Sequence, residues 1–309
     1  MKVDDIHDIL VIGAGTMGHQ IALQCAISGY DVSIYDVSQE ILKKAEERVH
    51  SLSQRLMHKG HISPAQAENA VKRMVFTSDA QKAGQNADLI SESIPEDPKL
   101  KGEMFARFHS ICPKHTIFTT NTSSLLPSLF AEATGRPEQF LAFHFHDIAI
   151  SRIVDVMPHP GTDPEVVAIV AAFAEKIGQI PIVLKKEYPG YLFNNMFMAF
   201  LDAALTLASK NIGAIEDIDR CWMGIMHTAA GPFGIMDSIG LDTVWKITSY
   251  HAQKRGDDNA MKNADFIKSY VDAGFLGQKS GRGFYQYPSP DFLSPGFLEG
   301  KSASSAQEK

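Results

Sequence analysis

The chain has 309 residues, a hydrophobic fraction of 44% and a formal net charge of −7. That length suits two domains with a sizeable core, and the composition is that of a globular protein. The acidic balance argues against nucleic acid as a partner, and no apolar run is long enough to span a bilayer. Cys25, Cys112 and Cys221 lie far apart and show no metal-ligand spacing, so no metal is expected and they read as core thiols of a reducing cytoplasm. The opening MKVDDIHD carries no signal-peptide pattern.

The first predicted strand is Ile9-Leu10-Val11-Ile12, short, apolar and β-branched. Gly13, Gly15 and Gly18 follow at G-x-G-x-x-G spacing, then a segment of helical period closed by Gly29, then a second strand, Val32 to Tyr35, ending in Asp36. The three glycines serve different ends: a tight turn, close approach to a pyrophosphate, and close packing of helix on strand. A diphosphate then meets free N–H groups and the dipole at a helix N-terminus. Asp36 is placed to accept hydrogen bonds from a ribose and would repel a 2′-phosphate, so the expected cofactor is NAD(H) rather than NADP(H). The five features occur in order within about 30 residues, which lifts the motif above a glycine-rich turn that binds nothing.

Ser38 reads as the N-cap of a long helix running to about Lys59, and Ser63-Pro64 opens another to about Arg73. This helical hairpin, residues 38–73, interrupts the βα pattern. Arg55, Lys59, Lys72 and Arg73 make it either a solvated basic face or a contact surface for a phosphorylated substrate tail such as coenzyme A, with Lys59 as a substrate residue. Strands are then expected at Met74–Phe76, Ala87–Ile94, Thr116–Thr120, Leu141–Phe145, Arg152–Met157 and Ile180–Leu184. Helices are expected at Ser78–Gly84, Lys99–Cys112 and Pro164–Ile177. In open parallel sheets ligands bind beyond the carboxyl ends of strands. The Gly13 loop, Ser93–Glu96, Asn121–Ser124 and His144 all fall at such ends, which places them in one cleft.

From Pro189 the strand pattern stops. Helices are expected over Tyr191–Ser209, Ile215–Gly224, Asp237 to about Gln253, and Ala260–Gly274. The first is so apolar that it reads as buried, within its own domain or at a subunit interface. The tail from about Ser289 reads as loosely ordered. The fold class is therefore α/β, a Rossmann-type doubly wound sheet domain over residues 1–187 followed by an all-α domain over residues 188–309.

His144 ends a predicted strand, where a lone histidine is usually structural; its polar company at the same edge favours chemistry. Alcohol oxidation needs a base for the hydroxyl proton while hydride leaves the carbon, and imidazole suits both directions. A carboxylate on the other ring nitrogen would fix the tautomer. Asp155 and Asp147 are both within reach in sequence. Ser123 and Asn194 could bond the substrate oxygen; Ser123 could equally be a helix cap and Asn194 a buried polar residue.

These residues carry a resemblance. Gly13-Ala-Gly-Thr-Met-Gly18 with Asp36, Asp88-Leu-Ile-Ser-Glu-Ser-Ile-Pro-Glu96 with Lys101, Asn121-Thr-Ser-Ser-Leu125, His144-Phe145, Pro189-Gly-Tyr-Leu-Phe-Asn194, Gly231-Pro-Phe233 and Gly281-Arg-Gly-Phe-Tyr285 occur in one order. Along nearly its whole length the chain resembles the short-chain L-3-hydroxyacyl-CoA dehydrogenase family. The resemblance implies His144 as general base and Ser123 and Asn194 on the reacting oxygen. It implies Thr16, Met17 and Asn121 at the dinucleotide, and Glu96 with Lys101 near the nicotinamide ribose. It also implies a homodimer through the helical domain.

The chain departs from that pattern in places. The family usually reads His-Phe-Phe-Asn-Pro where this chain reads His144-Phe-His-Asp-Ile148. Its usual Glu partner is Asp155 here, the intervening stretch is one residue shorter, and the Arg often found after the Asn is Asn195. These changes resemble the branch containing diketoreductase and L-gulonate 3-dehydrogenase (lambda-crystallin), as does the run Leu184 to Tyr191. The basic run Arg55 to Gly60 instead resembles bacterial 3-hydroxybutyryl-CoA dehydrogenases. The expected activity is NAD-dependent interconversion of 3-hydroxyacyl and 3-oxoacyl groups on acyl-CoA. The alternatives are a free 3-hydroxy acid dehydrogenase or diketoreductase, an NADP-linked reductase, and a catalytically weak NAD-binding or structural protein.

Overall fold

The computed structural model describes residues 1–300. It falls into two compact units that part after Tyr191, a little beyond the boundary expected near Glu187.

In the first unit the chain runs β1 (Asp8–Ile12), α1 (Gly18–Ile27), β2 (Asp31–Tyr35), α2 (Gln39–His58), α3 (Pro64–Lys72), β3 (Met74–Thr77) and α4 (Ala80–Gly84). It continues through β4 (Leu89–Glu92), α5 (Pro98–His109), β5 (Ile117–Thr120), β6 (Phe140–Phe145), β7 (Ile153–Pro158), α6 (Pro164–Lys176) and β8 (Ile180–Val183). The strands form one eight-stranded sheet in the order β3-β2-β1-β4-β5-β6-β7-β8. Its neighbours are parallel except β6 and β7, which run antiparallel.

Strand order reverses between β1 and β4, where a Rossmann sheet opens its binding crevice. Alternation along β1 sorts the core into two layers. Ile9 and Val11 pack with Ile21, Leu42, Val49 and Phe173 on the face covered by α1, α2 and α6. Leu10 and Ile12 pack with Phe105 and Phe108 of α5 on the other. A strand buried on both faces must be apolar at every position, and β1 nearly is. The caps follow the sequence signals: Ser38 accepts from Ile41 N–H, and Ser63 forms a capping box with Gln66.

The second unit contains α7 (Phe193–Ser209), α8 (Ile215–Met226), α9 (Pro232–Ile239), α10 (Leu241–Arg255) and α11 (Asp258–Asp272) around Leu201, Leu205, Phe233, Met236, Leu241 and Ile267. Two buried carboxylates pin this core. Asp219 accepts from Phe233 N–H, Gly234 N–H and the Tyr285 hydroxyl. Asp237 accepts from Phe284 N–H, Tyr285 N–H and the Tyr287 hydroxyl.

Three sequence expectations change here. The single helix from Asp237 to Gln253 breaks at Gly240, whose φ of +98° no helix accepts. The apolar helix is not buried throughout: Phe193, Met196 and Leu207 are 48%, 66% and 42% exposed. The tail from Ser289 is anchored as far as residue 300 by Phe292 and Phe297, both in the core; residues 301–309 lie outside the described part.

Candidate active site

The glycine loop joins β1 to α1 at the crevice. Gly13 has a φ of +98°, and a Cβ there would meet the Ser93 carbonyl oxygen at 2.6 Å. A Cβ on Gly18 would meet the Gly13 carbonyl oxygen at 1.8 Å. These two glycines are thus demanded by the fold. Gly15 differs, because a Cβ on it would meet no protein atom within 4 Å. Its bare backbone faces open space at the start of α1, which is the cradle a diphosphate needs. Thr16 and Met17 complete the turn, with Met17 as N-cap. Asp36 ties the end of β2 to this loop, its carboxylate accepting from Ala14 N–H at 3.0 Å and Ser38 N–H at 3.0 Å. Ser93 Oγ, buried beside Gly13, has no hydrogen-bond partner among the described residues. An open glycine, a helix start, a carboxylate at the end of the second strand and an orphaned hydroxyl fit a dinucleotide.

Next along the edge, Glu92 ends β4 fully buried. It accepts from Lys101 Nζ at 2.6 Å, Thr120 Oγ1 at 2.6 Å and Ile94 N–H at 2.7 Å. Burial pushes its carboxyl pKa up, while Lys101 and the other donors pull it down. Lys101 is 1% exposed and also bonds the Ile94 carbonyl at 3.2 Å. It therefore lies buried beneath the strand ends and meets the exposed Glu96 at 3.5 Å. Glu96 in turn accepts from Thr122 Oγ1 at 2.8 Å and Ser123 N–H at 2.9 Å, leaving Ser123 exposed. Asn121 braces β5 on β6, its Oδ1 accepting from Phe145 N–H at 2.7 Å.

His144 lies near the carboxyl end of β6. The antiparallel register pairs it directly with Asp155 on β7, and cross-strand partners point to one face. His144 Nδ1 is 3.0 Å from Asp155 Oδ2. An ionised carboxylate only accepts, so Nδ1 carries the hydrogen and Nε2 keeps its lone pair. Burial pushes the Asp155 pKa up, but hydrogen bonds from His144 and His146 outweigh it and hold the carboxyl below its ordinary value. Asp147 is not the partner: its Oδ1 closes its own turn on Ala149 N–H. The shorter acid and shorter connection thus meet in register.

Three residues given no role by the sequence reading belong to this cluster. His146 Nε2 is 3.3 Å from the same Asp155 oxygen. It follows His144 at the two-residue spacing of one strand face, and that spacing was the available signal. Tyr191 stacks its ring on His144 at 4.6 Å and donates its hydroxyl to the Thr122 carbonyl at 2.6 Å, so it joins the histidine to the Ser123 loop. Its φ of 53° is rare for a non-glycine residue, and sequence gives no sign of it. Thr122 holds Glu96. Of the remaining expected residues, Asn194 opens α7 in the second unit. Lys59 caps α2 and stands exposed, with no hydrogen bond or ion pair to the strand-end cluster among the described residues. Lys72 and Arg73 are paired with Glu68 and Asp31, whereas Arg55 and Lys59 make no ion pair among the described residues.

A glycine cradle with an Asp at the second strand and an imidazole–carboxylate pair at the same edge define a nucleotide-dependent oxidoreductase site. The 3-hydroxyacyl-CoA dehydrogenase NAD-binding domain matches residues 8–188, and the C-terminal domain of the same family matches residues 190–287. A probable 3-hydroxybutyryl-CoA dehydrogenase of Bacillus subtilis is 32% identical over 284 residues, 92% of this chain and 98% of that one. One from Deinococcus radiodurans is 34% identical over 278 residues, 90% and 99%. Among solved structures, a diketoreductase is 36% identical with a TM-score of 0.84, covering 91% of this chain and 99% of its own. The (S)-3-hydroxybutyryl-CoA dehydrogenase of Ralstonia eutropha is 27% identical with a TM-score of 0.82, covering 92% and 100%. The chain belongs to the 3-hydroxyacyl-CoA dehydrogenase family and is an NAD-dependent oxidoreductase. Among the described residues no helix is long and apolar enough to cross a membrane.

Proposed function

We propose that the protein interconverts 3-hydroxyacyl and 3-oxoacyl thioesters of coenzyme A, with His144 carrying the proton. The observation that carries this reading is the 3.0 Å bond from His144 Nδ1 to Asp155, which leaves Nε2 as a base. When bound, NAD supplies the hydride acceptor, and NADH the hydride. In oxidation His144 Nε2 takes the hydroxyl proton, and Asp155 stabilises the imidazolium that forms. In reduction the same nitrogen returns the proton to the carbonyl oxygen. Ser123, an exposed residue whose N–H and, at 3.5 Å, Oγ donate to Glu96, is the proposed donor to the substrate oxygen, with Asn194 as the second. Glu96, braced by Thr122 and Lys101, is assigned to the cofactor ribose. Lys59 and Arg55 are assigned to the phosphates of coenzyme A.

The test is NADH consumption with acetoacetyl-CoA, alongside His144→Ala. We expect kcat to fall about 10²- to 10⁴-fold in the variant, the range of a positioned acid–base group, with NADH affinity little changed. Retained turnover removes His144 from the mechanism.

A second reading, reduction of a free 3-oxo acid or diketone, is favoured by the 36% identity to a diketoreductase. Faster NADH oxidation with a free 3-oxo ester than with acetoacetyl-CoA would establish it. Exposed Phe193 and Met196 of α7, with Ile225 and Met226 of α8, support a homodimer through the helical unit, which sedimentation analysis tests. Cys25, Cys112 and Cys221 are unpaired, in keeping with a cytoplasmic location.

A further inference from the structure

From the geometry around Asp155 we infer that His144, His146 and Asp155 form a binding site for a divalent transition ion of the zinc class, and that the bound ion switches the dehydrogenase off. One ligand atom from each of the three residues lies within 4.8 Å of the others, and His144 Nδ1 and His146 Nε2 both face Asp155 Oδ2. Tetrahedral ligands at about 2.0–2.2 Å from zinc stand about 3.4 Å apart. The His144 Nδ1–Asp155 Oδ2 and His146 Nε2–Asp155 Oδ2 edges, 3.0 Å and 3.3 Å, are close to that spacing. Two imidazoles and one carboxylate suit zinc, cobalt or nickel and leave a coordination position for water.

The site is built rather than incidental. His144 and Asp155 are fixed by strand register, and their side chains are 7% and 3% exposed. His146, 21% exposed, forms the accessible side. It is also one of the positions at which this chain departs from the family's usual run after the histidine. Cysteine spacing gave no hint of a metal, because the ligands here are imidazoles and a carboxylate.

Inhibition follows from the tautomer, and this half of the inference rests on His144 being the base. A metal takes the lone pair of Nδ1, so the one hydrogen of the neutral ring moves to Nε2. His146 shifts its hydrogen from Nε2 to Nδ1 in the same way, and no proton is gained or lost. With Nε2 protonated and the ring neutral, His144 has no lone pair for a hydroxyl proton. The carboxylate that would stabilise an imidazolium is also engaged.

The experiment is titration of the full chain with Co²⁺, followed by visible absorption in the absence of cofactor and substrate. A ligand-field band saturating at one equivalent, abolished by Zn²⁺, is expected. His146→Phe should weaken cobalt binding at least about tenfold, with NADH binding and circular dichroism retained. Asp155→Asn serves the same purpose should His146→Phe fail to fold. No band at one equivalent, or a band undiminished in both variants, overturns the site. In the wild type, Zn²⁺ should abolish NADH turnover with the midpoint at which it displaces cobalt, and EDTA should restore it. Metal binding with turnover intact would overturn the inhibitory half and count against His144 as the base, while leaving the binding result standing.

Discussion

Asp155→Asn tests the centre of the mechanism, because it changes charge while keeping shape. Asp155 Oδ2 receives both His144 Nδ1, at 3.0 Å, and His146 Nε2, at 3.3 Å. An Asn has one acceptor atom, so its oxygen must take that shared position to keep both bonds. In that orientation the tautomer of His144 survives, and what is lost is attraction for the imidazolium. With an effective dielectric of about 20, charges 3.0 Å apart interact by about 5.5 kcal/mol. That is a ceiling, about four decades in rate. The floor is the difference between a charge-assisted and a neutral hydrogen bond, about 1 kcal/mol or fivefold. If the amide turns, its NH₂ faces Nδ1, forces the hydrogen onto Nε2 and removes the base altogether, a loss of about 10⁴-fold. We expect kcat to fall by between about fivefold and about 10⁴-fold, measured by NADH absorbance at saturating substrate, with NADH affinity unchanged by fluorescence titration. A kcat within about threefold of wild type, with the cofactor still bound, would refute the pairing as the source of catalysis.

Other changes separate folding from binding. Gly15→Ala should melt normally, since its Cβ meets no protein atom within 4 Å, yet weaken NADH binding by about tenfold or more. Gly13→Ala should instead lower the melting temperature, because it combines a φ of +98° with a 2.6 Å approach to a backbone oxygen; equal stability in the two variants would contradict the division of labour. Asp36→Ala should narrow the preference for NADH over NADPH by about tenfold, read from the two Kd values. Burial pushes the Asp219 carboxyl up to about 6 from 3.8. A raised folded value means its stabilising contribution is complete below 3.8 and is lost as pH rises through about 6. Asp219→Asn should flatten the chemical-denaturation stability profile between those values. It should also cost about 1–3 kcal/mol at pH 7, because one of the bonded N–H groups of Phe233 and Gly234 then faces an NH₂.

The βα succession of the first unit was legible because each element carries its own punctuation. Ser38, Ser63-Pro64 and Pro164 announce helix starts that the structure shows at Gln39, Pro64 and Pro164. The second unit was less legible. Gly240 splits what periodicity read as one helix, since hydrophobic spacing is continuous across the break while the backbone is not. Phe292 and Phe297 lie in a stretch whose Ser, Pro and Gly content resembles a loose tail, and only a tertiary partner reveals them as core.

For the site, the sequence by itself determined the cofactor loop, the acid at the second strand and the imidazole at the strand end. These are local features, set by glycine conformational freedom, helix termini and strand length. It could not choose between Asp147 and Asp155, nor give His146, Tyr191 or Lys101 their places. The choice belongs to strand register, which sets His144 opposite Asp155 across an antiparallel pair. A carboxylate three residues away in the chain closes its own turn, while one eleven residues away meets the ring, because a hairpin brings distant residues face to face and turns near ones aside.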